Sequence, residues 1–93
     1  MAVTVDNTPP VIGPVSVATV GNHLNVAMSV TDNIKVAKVV LYVDGKLIAT
    51  DTSNAYSFSI DLNHFALGPH VLEVRAYDPA GNVASSGQMT FTR

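Results

Sequence analysis

Acidic and amide side chains recur in three short stretches of the sequence, and their oxygens are the ligands that calcium prefers. Asp6 lies near the start of the chain, Asp32 follows a run of alternating apolar residues, and Asp78 and Asn82 flank a Pro-Ala-Gly turn. Calcium takes about six to eight oxygen ligands in flexible geometry, so these four residues are candidate ligands if the fold brings them together. The alternative is that they only form turns, since Asp and Asn side chains bond to nearby backbone amides.

Two tyrosines are candidate ligand-binding residues. Tyr42 and Tyr77 each alternate with apolar neighbours, so both rings are expected on the outer face of a strand. A ring in that position can stack on a sugar. The alternative is that each tyrosine packs against a cross-strand neighbour, which is the commoner arrangement.

Histidine, serine and aspartate are all present, but no local pattern joins them into a catalytic site. The sequence contains no G-x-S-x-G, no H-E-x-x-H and no glycine-rich phosphate loop. His70 falls on the inward-facing positions of a strand, where a partly buried imidazole bonded to backbone is expected rather than a metal ligand. We therefore expect no enzymatic activity and no cofactor apart from the candidate calcium.

Composition excludes two classes of partner. The net charge is −2 with only five Lys and Arg residues, which argues against nucleic acid because phosphate binding needs clustered positive charge. The apolar runs are far shorter than the ~20 residues of a membrane helix, so no membrane span is expected. There is no cysteine, so no disulfide supports the fold.

The elements that position these residues are short strands. Residues 71–77 alternate apolar and polar side chains and run into the turn formers of residues 78–82. Residues 36–43 and 46–50 flank Asp44-Gly45, the strongest hairpin signal in the chain. Residues 23–31 form the clearest alternating strand, and Gly13-Pro14 indicates a bulge or a switch between sheets within residues 11–20.

Seven such strands predict an all-β fold, an immunoglobulin-like antiparallel β-sandwich. We expect residues 1–10 to be an N-terminal linker ending in Pro9-Pro10, and residues 11–93 to be one domain, monomeric in isolation. In this topology the N-terminus and the loops at Asp32 and Asp78 share one pole, which would gather the candidate calcium ligands. An odd number of strands places the two termini at opposite poles.

The alternating positions also predict which side chains form the core and its ends. Residues 63–68 are expected to form one helical turn, with Asn63 as its N-cap and Gly68 at its exit. Phe65 or Leu67 would then close the open end of the core. The expected buried set is Leu24, Val26, Met28, Val39, Leu41, Phe58, Ile60, Leu72, Val74 and Ala76.

Four segments in this order resemble the bacterial Ig-like domains: DNTPPVI, VAKVVLYVDGKLIATDT, YSFSIDL and GPHVLEVRAYDPAGNVAS. The similarity covers nearly the whole chain. It implies a non-catalytic spacer or adhesion module of an extracellular or cell-surface bacterial protein. The partners it implies are neighbouring domains of the same chain, with a polysaccharide or a host surface as a further candidate. The alternatives it leaves open are a carbohydrate-binding accessory module attached to a secreted hydrolase and a calcium-stiffened joint in a tandem array.

Overall fold

The computed structural model describes residues 8–52 and 56–93, whose regular secondary structure consists almost entirely of antiparallel strands. One 3₁₀ turn, at Leu62–His64, interrupts them. The strands are β1 (Val11–Ile12), β2 (Ser16–Val20), β3 (His23–Ala27), β4 (Val30–Thr31), β5 (Lys38–Val43), β6 (Lys46–Asp51), β7 (Ser57–Asp61), β8 (Pro69–Tyr77) and β9 (Val83–Thr92).

The strands form two main sheets that face each other. One sheet has the order β2-β3-β7, the other has the order β6-β5-β8-β9, and β1 pairs with β4 beside them. Buried side chains from both sheets form one apolar cluster. The fold is therefore an immunoglobulin-like antiparallel β-sandwich, as the strand pattern predicted.

Nine strand segments stand where seven strands were predicted, because two of the predicted strands are interrupted. The break between β1 and β2 falls at Gly13-Pro14, where a switch between sheets was expected. The expected continuous strand 23–31 is divided into β3 and β4 at Met28-Ser29. The two breaks lie side by side: the Gly13 amide donates to the Ser29 carbonyl at 2.8 Å, and a Cβ on Gly13 would lie 2.6 Å from Ser29 Oγ.

The alternating pattern predicted the core correctly. All ten residues of the expected set are buried. Burying an aliphatic or aromatic side chain of this size contributes about 1.5–3 kcal/mol, so this apolar layer is the main source of stability. The structure adds six apolar residues to the buried set: Val30, Val40, Val43, Tyr56, Leu62 and Phe91.

The predicted helical turn at residues 63–68 is placed two residues too late. The 3₁₀ turn begins at Leu62, and its N-cap is Asp61, whose Oδ1 accepts from the Asn63 amide at 2.9 Å. Asn63 was expected in that role, but β7 ends at Asp61, so Asp61 is the residue positioned to cap. Of the two candidates for closing the core, Phe65 packs against it, whereas Leu67 is 81% exposed.

Backbone hydrogen bonds define two poles of the sandwich. At the N-terminal pole, Val11 pairs with Thr31, and the Ala37 amide bonds to the Tyr77 carbonyl at 2.7 Å. At the C-terminal pole, Arg93 and Gly68 exchange two backbone bonds of 3.0 and 3.3 Å. The described chain therefore enters the sandwich at one pole and leaves it at the other. No helix in residues 8–52 or 56–93 is long and apolar enough to cross a membrane.

Candidate functional site

Asp32 and Asp78 lie at the N-terminal pole, as predicted, but each is engaged in its own turn. Asp32 Oδ2 accepts from the amides of Ile34 and Lys35 at 3.1 and 3.0 Å. Asp32 Oδ1 is buried and has no hydrogen-bond partner in the described part of the chain. The carboxylate borders a cavity of about 430 Å³, whose other lining residues are Val30, Thr31, Lys35, Val36, Thr52 and Tyr56.

Asp78 is held more tightly. It is only 3% exposed, and its two oxygens accept from Asn82 at 2.9 Å each, one from the backbone amide and one from Nδ2. The Asp78 amide also bonds back to the Asn82 carbonyl at 3.1 Å. Asp78 and Asn82 therefore close the turn between β8 and β9, which agrees with the turn-forming interpretation.

The calcium hypothesis stays a prediction. Asp6 lies outside the described residues. Among those that are described, no three His, Asp or Glu residues come close enough together to hold a metal ion. A calcium ion at this pole would have to share Asp32 Oδ2 and both oxygens of Asp78 with the turn hydrogen bonds, whereas Asp32 Oδ1 accepts none from the described residues.

Tyr42 lies on the outer face of the four-stranded sheet, as its alternation predicted, and Arg75 covers its ring. The guanidinium carbon is 4.6 Å from the ring centroid, within the range of a cation–π contact. Arg75 in turn donates to both oxygens of Glu73, from Nε at 3.0 Å and from Nη2 at 3.3 Å. Ser85 on the neighbouring strand donates its hydroxyl to Glu73 at 2.6 Å.

These contacts set the charges of the outer-face network. The Arg75 guanidinium, and after it the Ser85 hydroxyl, holds the pKa of Glu73 below its usual range. The same pairing raises the pKa of Arg75 further above its already high value. Glu73 and Arg75 are therefore both ionised at neutral pH. The charge of Arg75 is thus paired with that of Glu73 within the network.

Tyr77 has a similar arrangement on the same face, two cross-strand pairs further along. Lys38 is its direct cross-strand partner, and the Lys38 ammonium lies 4.9 Å from the Tyr77 ring centroid. Both tyrosines proposed for ligand binding thus have a cation over the ring. This arrangement matches the cross-strand packing alternative. A sugar could stack on these ring faces only by displacing Arg75 or Lys38.

His70 lies at the C-terminal pole, partly buried and bonded to backbone, as the sequence predicted. Its side chain is 12% exposed, and Nε2 lies 2.7 Å from the Ala66 carbonyl oxygen. The sequence did not predict the second contact, in which Nδ1 lies 2.6 Å from Asp44 Oδ2. Asp44 Oδ1 also accepts from the Val71 amide at 2.9 Å.

Asp44 was predicted only as the first residue of the hairpin turn, and its backbone confirms that role. Asp44 and Gly45 have φ of 52° and 80°, the left-handed pair that a two-residue type I′ turn needs. Its second role is to bind His70 and the Val71 amide through its carboxylate. The sequence feature that indicates this role is the presence of Asp rather than Asn at the turn. A carboxylate there can accept two hydrogen bonds from the start of the strand that pairs with β5.

The comparisons with known proteins agree with this architecture. Residues 10–74 match the sequence model of the family described as bacterial Ig domain. No curated protein matches the chain in sequence.

Two solved structures share the fold. The first is the Clostridium perfringens spore cortex lytic enzyme SleM, with a TM-score of 0.74 and 16% identity over 88% of this chain. This chain spans only 27% of that enzyme's length. The second is a structure of the Clostridium thermocellum CbhA fibronectin(III)-like modules, with a TM-score of 0.59 and 24% identity over 83% of this chain and 90% of that one. At these identities the two likenesses concern the fold.

Proposed function

Because the chain belongs to the bacterial Ig domain family, we propose that it is a non-catalytic spacer or adhesion module of an extracellular or cell-surface bacterial protein. Domains of this type join other domains and set the distance between them. The neighbouring domains of the same polypeptide are then its first partners. The likeness to a segment of a much longer lytic enzyme supports a role as one part of a multidomain protein.

The observation that carries this proposal is the position of the two ends of the described chain. The entering strand is fixed by the β1–β4 pairing at the N-terminal pole. The last residue, Arg93, is fixed at the opposite pole: besides its backbone bonds to Gly68, its guanidinium donates to the Phe65 carbonyl at 2.7 Å and to Asn63 Oδ1 at 3.2 Å. The strands β8 and β9, of nine and ten residues, run between the two poles and span about 30 Å. Such a module would separate its two neighbours along its long axis.

The short contact between His70 and Asp44 supports a structural role rather than catalysis. In a nucleophilic triad, the carboxylate orients one histidine nitrogen, and the other takes a proton from a hydroxyl. Here the second nitrogen of His70 faces the Ala66 carbonyl, which has no proton to give. The nitrogen that would act as the general base, Nε2, is thus occupied by a backbone carbonyl.

Scattering from two tandem copies of the chain tests the spacer role. If each copy enters and leaves at opposite poles, the maximum dimension of the pair should be close to twice that of one copy. A pair that folds back into a compact particle, with the two copies side by side, would contradict the proposal. Single-copy scattering at the same concentration is the control.

The carbohydrate-binding alternative makes a different prediction. A binding module should sediment with an insoluble polysaccharide or with cell-wall material in a saturable way, and Tyr42→Ala or Tyr77→Ala should abolish this. The spacer proposal predicts no saturable binding for the wild type. Leu67→Ala, which removes an exposed apolar side chain at the C-terminal pole, is the matched control.

A further inference from the structure

His70 joins three separate parts of the C-terminal pole. Its ring contacts the turn between β5 and β6 through Asp44, the segment 62–68 through Ala66, and the end of β9 through Phe91. We propose that His70 is a pH-responsive latch, which fastens segment 62–68 and the chain exit at Arg93 to the β5–β6 turn while its imidazole carries both protons. This proposal does not depend on the proposed function.

The geometry at the two ring nitrogens requires the doubly protonated ring. Nδ1 lies 2.6 Å from a carboxylate oxygen and Nε2 lies 2.7 Å from a carbonyl oxygen. Both of these oxygens are acceptors in a neutral-pH protein, so each nitrogen must donate. A neutral imidazole has one donor and one acceptor nitrogen. One of the two contacts would then set a lone pair against an oxygen.

The ring cannot easily turn away from these acceptors. It stacks on Phe91 with a centroid distance of 5.3 Å and an interplanar angle of 23°, and it meets Phe65 at 5.5 Å and 59°. Phe65 and Phe91 pack edge to face at 5.7 Å. With its side chain only 12% exposed, His70 is held between aromatic rings with both polar atoms directed at fixed partners.

The charged groups around the latch come from every element that packs on it. The β5–β6 turn contributes Asp44 and, beyond it, Lys46, which acts on Asp44 through its charge. The segment after β7 contributes His64, which lies 3.8 Å from Asp61. The residue after β9 is Arg93, whose guanidinium donates to the Phe65 carbonyl and to Asn63 Oδ1. On β8 itself, Glu73 belongs to the opposite face of the sheet and is paired with Arg75.

The balance of these groups favours the charged ring. The Ala66 carbonyl, and after it the Asp44 carboxylate, raises the pKa of His70, against a smaller opposing effect of desolvation. The hydrogen bond from His70, and after it the one from the Val71 amide, lowers the pKa of Asp44. Each partner therefore holds the other in its charged form.

The direction of the pH response follows from these shifts. A histidine with a raised folded-state pKa stabilises the fold fully below its ordinary value of about 6.5, and that contribution is lost as the pH rises through the raised pKa. Asp44 acts in the opposite sense, since its contribution is present above its ordinary pKa and lost as the pH falls through the lowered one. The latch is thus strongest in the interval between the two.

Loss of the proton should loosen one defined part of the molecule. If Nδ1 keeps its proton for the Asp44 carboxylate, the Nε2 lone pair faces the Ala66 carbonyl at a distance that only a hydrogen bond sustains. Segment 62–68 is then released from the ring. The same segment holds Arg93 through Asn63, Phe65 and Gly68, so the orientation of whatever follows the domain becomes less fixed.

Nitrogen-resolved NMR of the histidine side chains tests the latch on the wild-type chain. We expect the titration midpoint of His70 to lie above the ordinary histidine value of about 6.5, with both ring nitrogens protonated below that midpoint. We also expect amide hydrogen exchange in residues 62–68 to accelerate as the pH passes that midpoint, beyond the general base-catalysed increase seen in β3. A His70 midpoint at or below about 6.5 would overturn the proposal.

Two substitutions separate the charge from the packing. Asp44→Asn keeps a residue that tolerates the left-handed turn and can still accept from the Val71 amide, but it removes the carboxylate charge. It should lower the His70 midpoint. His64→Asn, at an exposed site near the same pole, should leave that midpoint nearly unchanged, because charges on exposed side chains are screened by water and salt. If Asp44→Asn leaves the His70 midpoint where it was, the carboxylate does not hold the proton and the latch is refuted.

Discussion

The guanidinium carbon of Arg75 lies 4.6 Å from the centroid of the Tyr42 ring. The two residues sit on neighbouring strands of the four-stranded sheet, where Tyr42 is directly opposite Glu73 and Arg75 is directly opposite Val40. Val40 is buried although it belongs to the outer face. Long side chains that pair with each other therefore cover this face of the sandwich, and Tyr42 is part of that cover.

Replacement of Arg75 by Lys should lower the free energy of unfolding, and by more than a lysine–arginine exchange elsewhere on the surface. Lysine keeps the charge but lacks the planar fork that donates to both oxygens of Glu73 and stacks on Tyr42. Chemical denaturation at neutral pH measures the change. The control, Lys35→Arg, exchanges the same two residue types at an exposed site and should stay within about 0.5 kcal/mol of wild type. Equal stability of the two variants would count against the network.

Glu73 should contribute to the acid side of the stability profile. Its pKa is lowered by Arg75 and Ser85, so its contribution is present above its ordinary value of 4.5 and is lost as the pH falls through the lowered one. Wild type should therefore lose stability more steeply than Glu73→Gln below about pH 4.5. Urea denaturation at pH 7, 4.5 and 3 measures both slopes. Parallel curves would show that Glu73 is not stabilised as an anion.

Truncation of the central core residue Leu72 to Ala should cost about 2–5 kcal/mol, because Leu72 is fully buried and the cavity cannot be filled by solvent. For a small domain this is a large share of the total stability. The matched control is Leu67→Ala, which makes the same change at a site that is 81% exposed and should change stability by less than about 0.5 kcal/mol. If both variants lost a similar amount of unfolding free energy, the assignment of Leu72 to the core would be wrong.

The alternation of apolar and polar residues predicted this core, because every second side chain of a half-buried strand faces the core and is apolar. Leu24, Val26, Leu72 and Val74 could be assigned without any knowledge of their partners. Asp44-Gly45 was equally readable, since a two-residue turn depends on the conformations of two adjacent residues. Interactions between residues that are close in sequence determine both features, so both can be predicted from a short stretch of sequence.

Other features depend on contacts between distant parts of the chain, and these were missed. The partner of His70 is 26 residues away in sequence, and Asp44 reaches it only because β5 and β8 pair in one particular register. The cation over Tyr42 likewise comes from another strand. The error at Asn63 has a smaller cause: β7 ends at Asp61, so the residue positioned to cap the turn lies two positions before Asn63.

Calcium should leave the thermal stability of the chain nearly unchanged if Asp32 and Asp78 act as turn residues. A site of about 10⁻⁴ M affinity in 2 mM calcium would add about 1.8 kcal/mol and raise the midpoint by about 7–14 °C. We expect less than about 2 °C between calcium and excess chelator at matched ionic strength, because the turn hydrogen bonds already engage Asp78. A larger shift that disappears in the double variant Asp32→Asn, Asp78→Asn would favour the calcium hypothesis.

The separation of the two chain ends tests the central claim, that this domain connects its neighbours across its long axis. The sequence has no cysteine, so Val11→Cys and Thr92→Cys accept a pair of spin labels at these sites alone. Pulsed electron paramagnetic resonance should give a narrow distance distribution near 30 Å, about the length of β9. The pair Val11→Cys, Ala80→Cys, within the N-terminal pole, should give a clearly shorter distance. A Val11–Thr92 distance below about 20 Å would place both ends at one pole and contradict the spacer account.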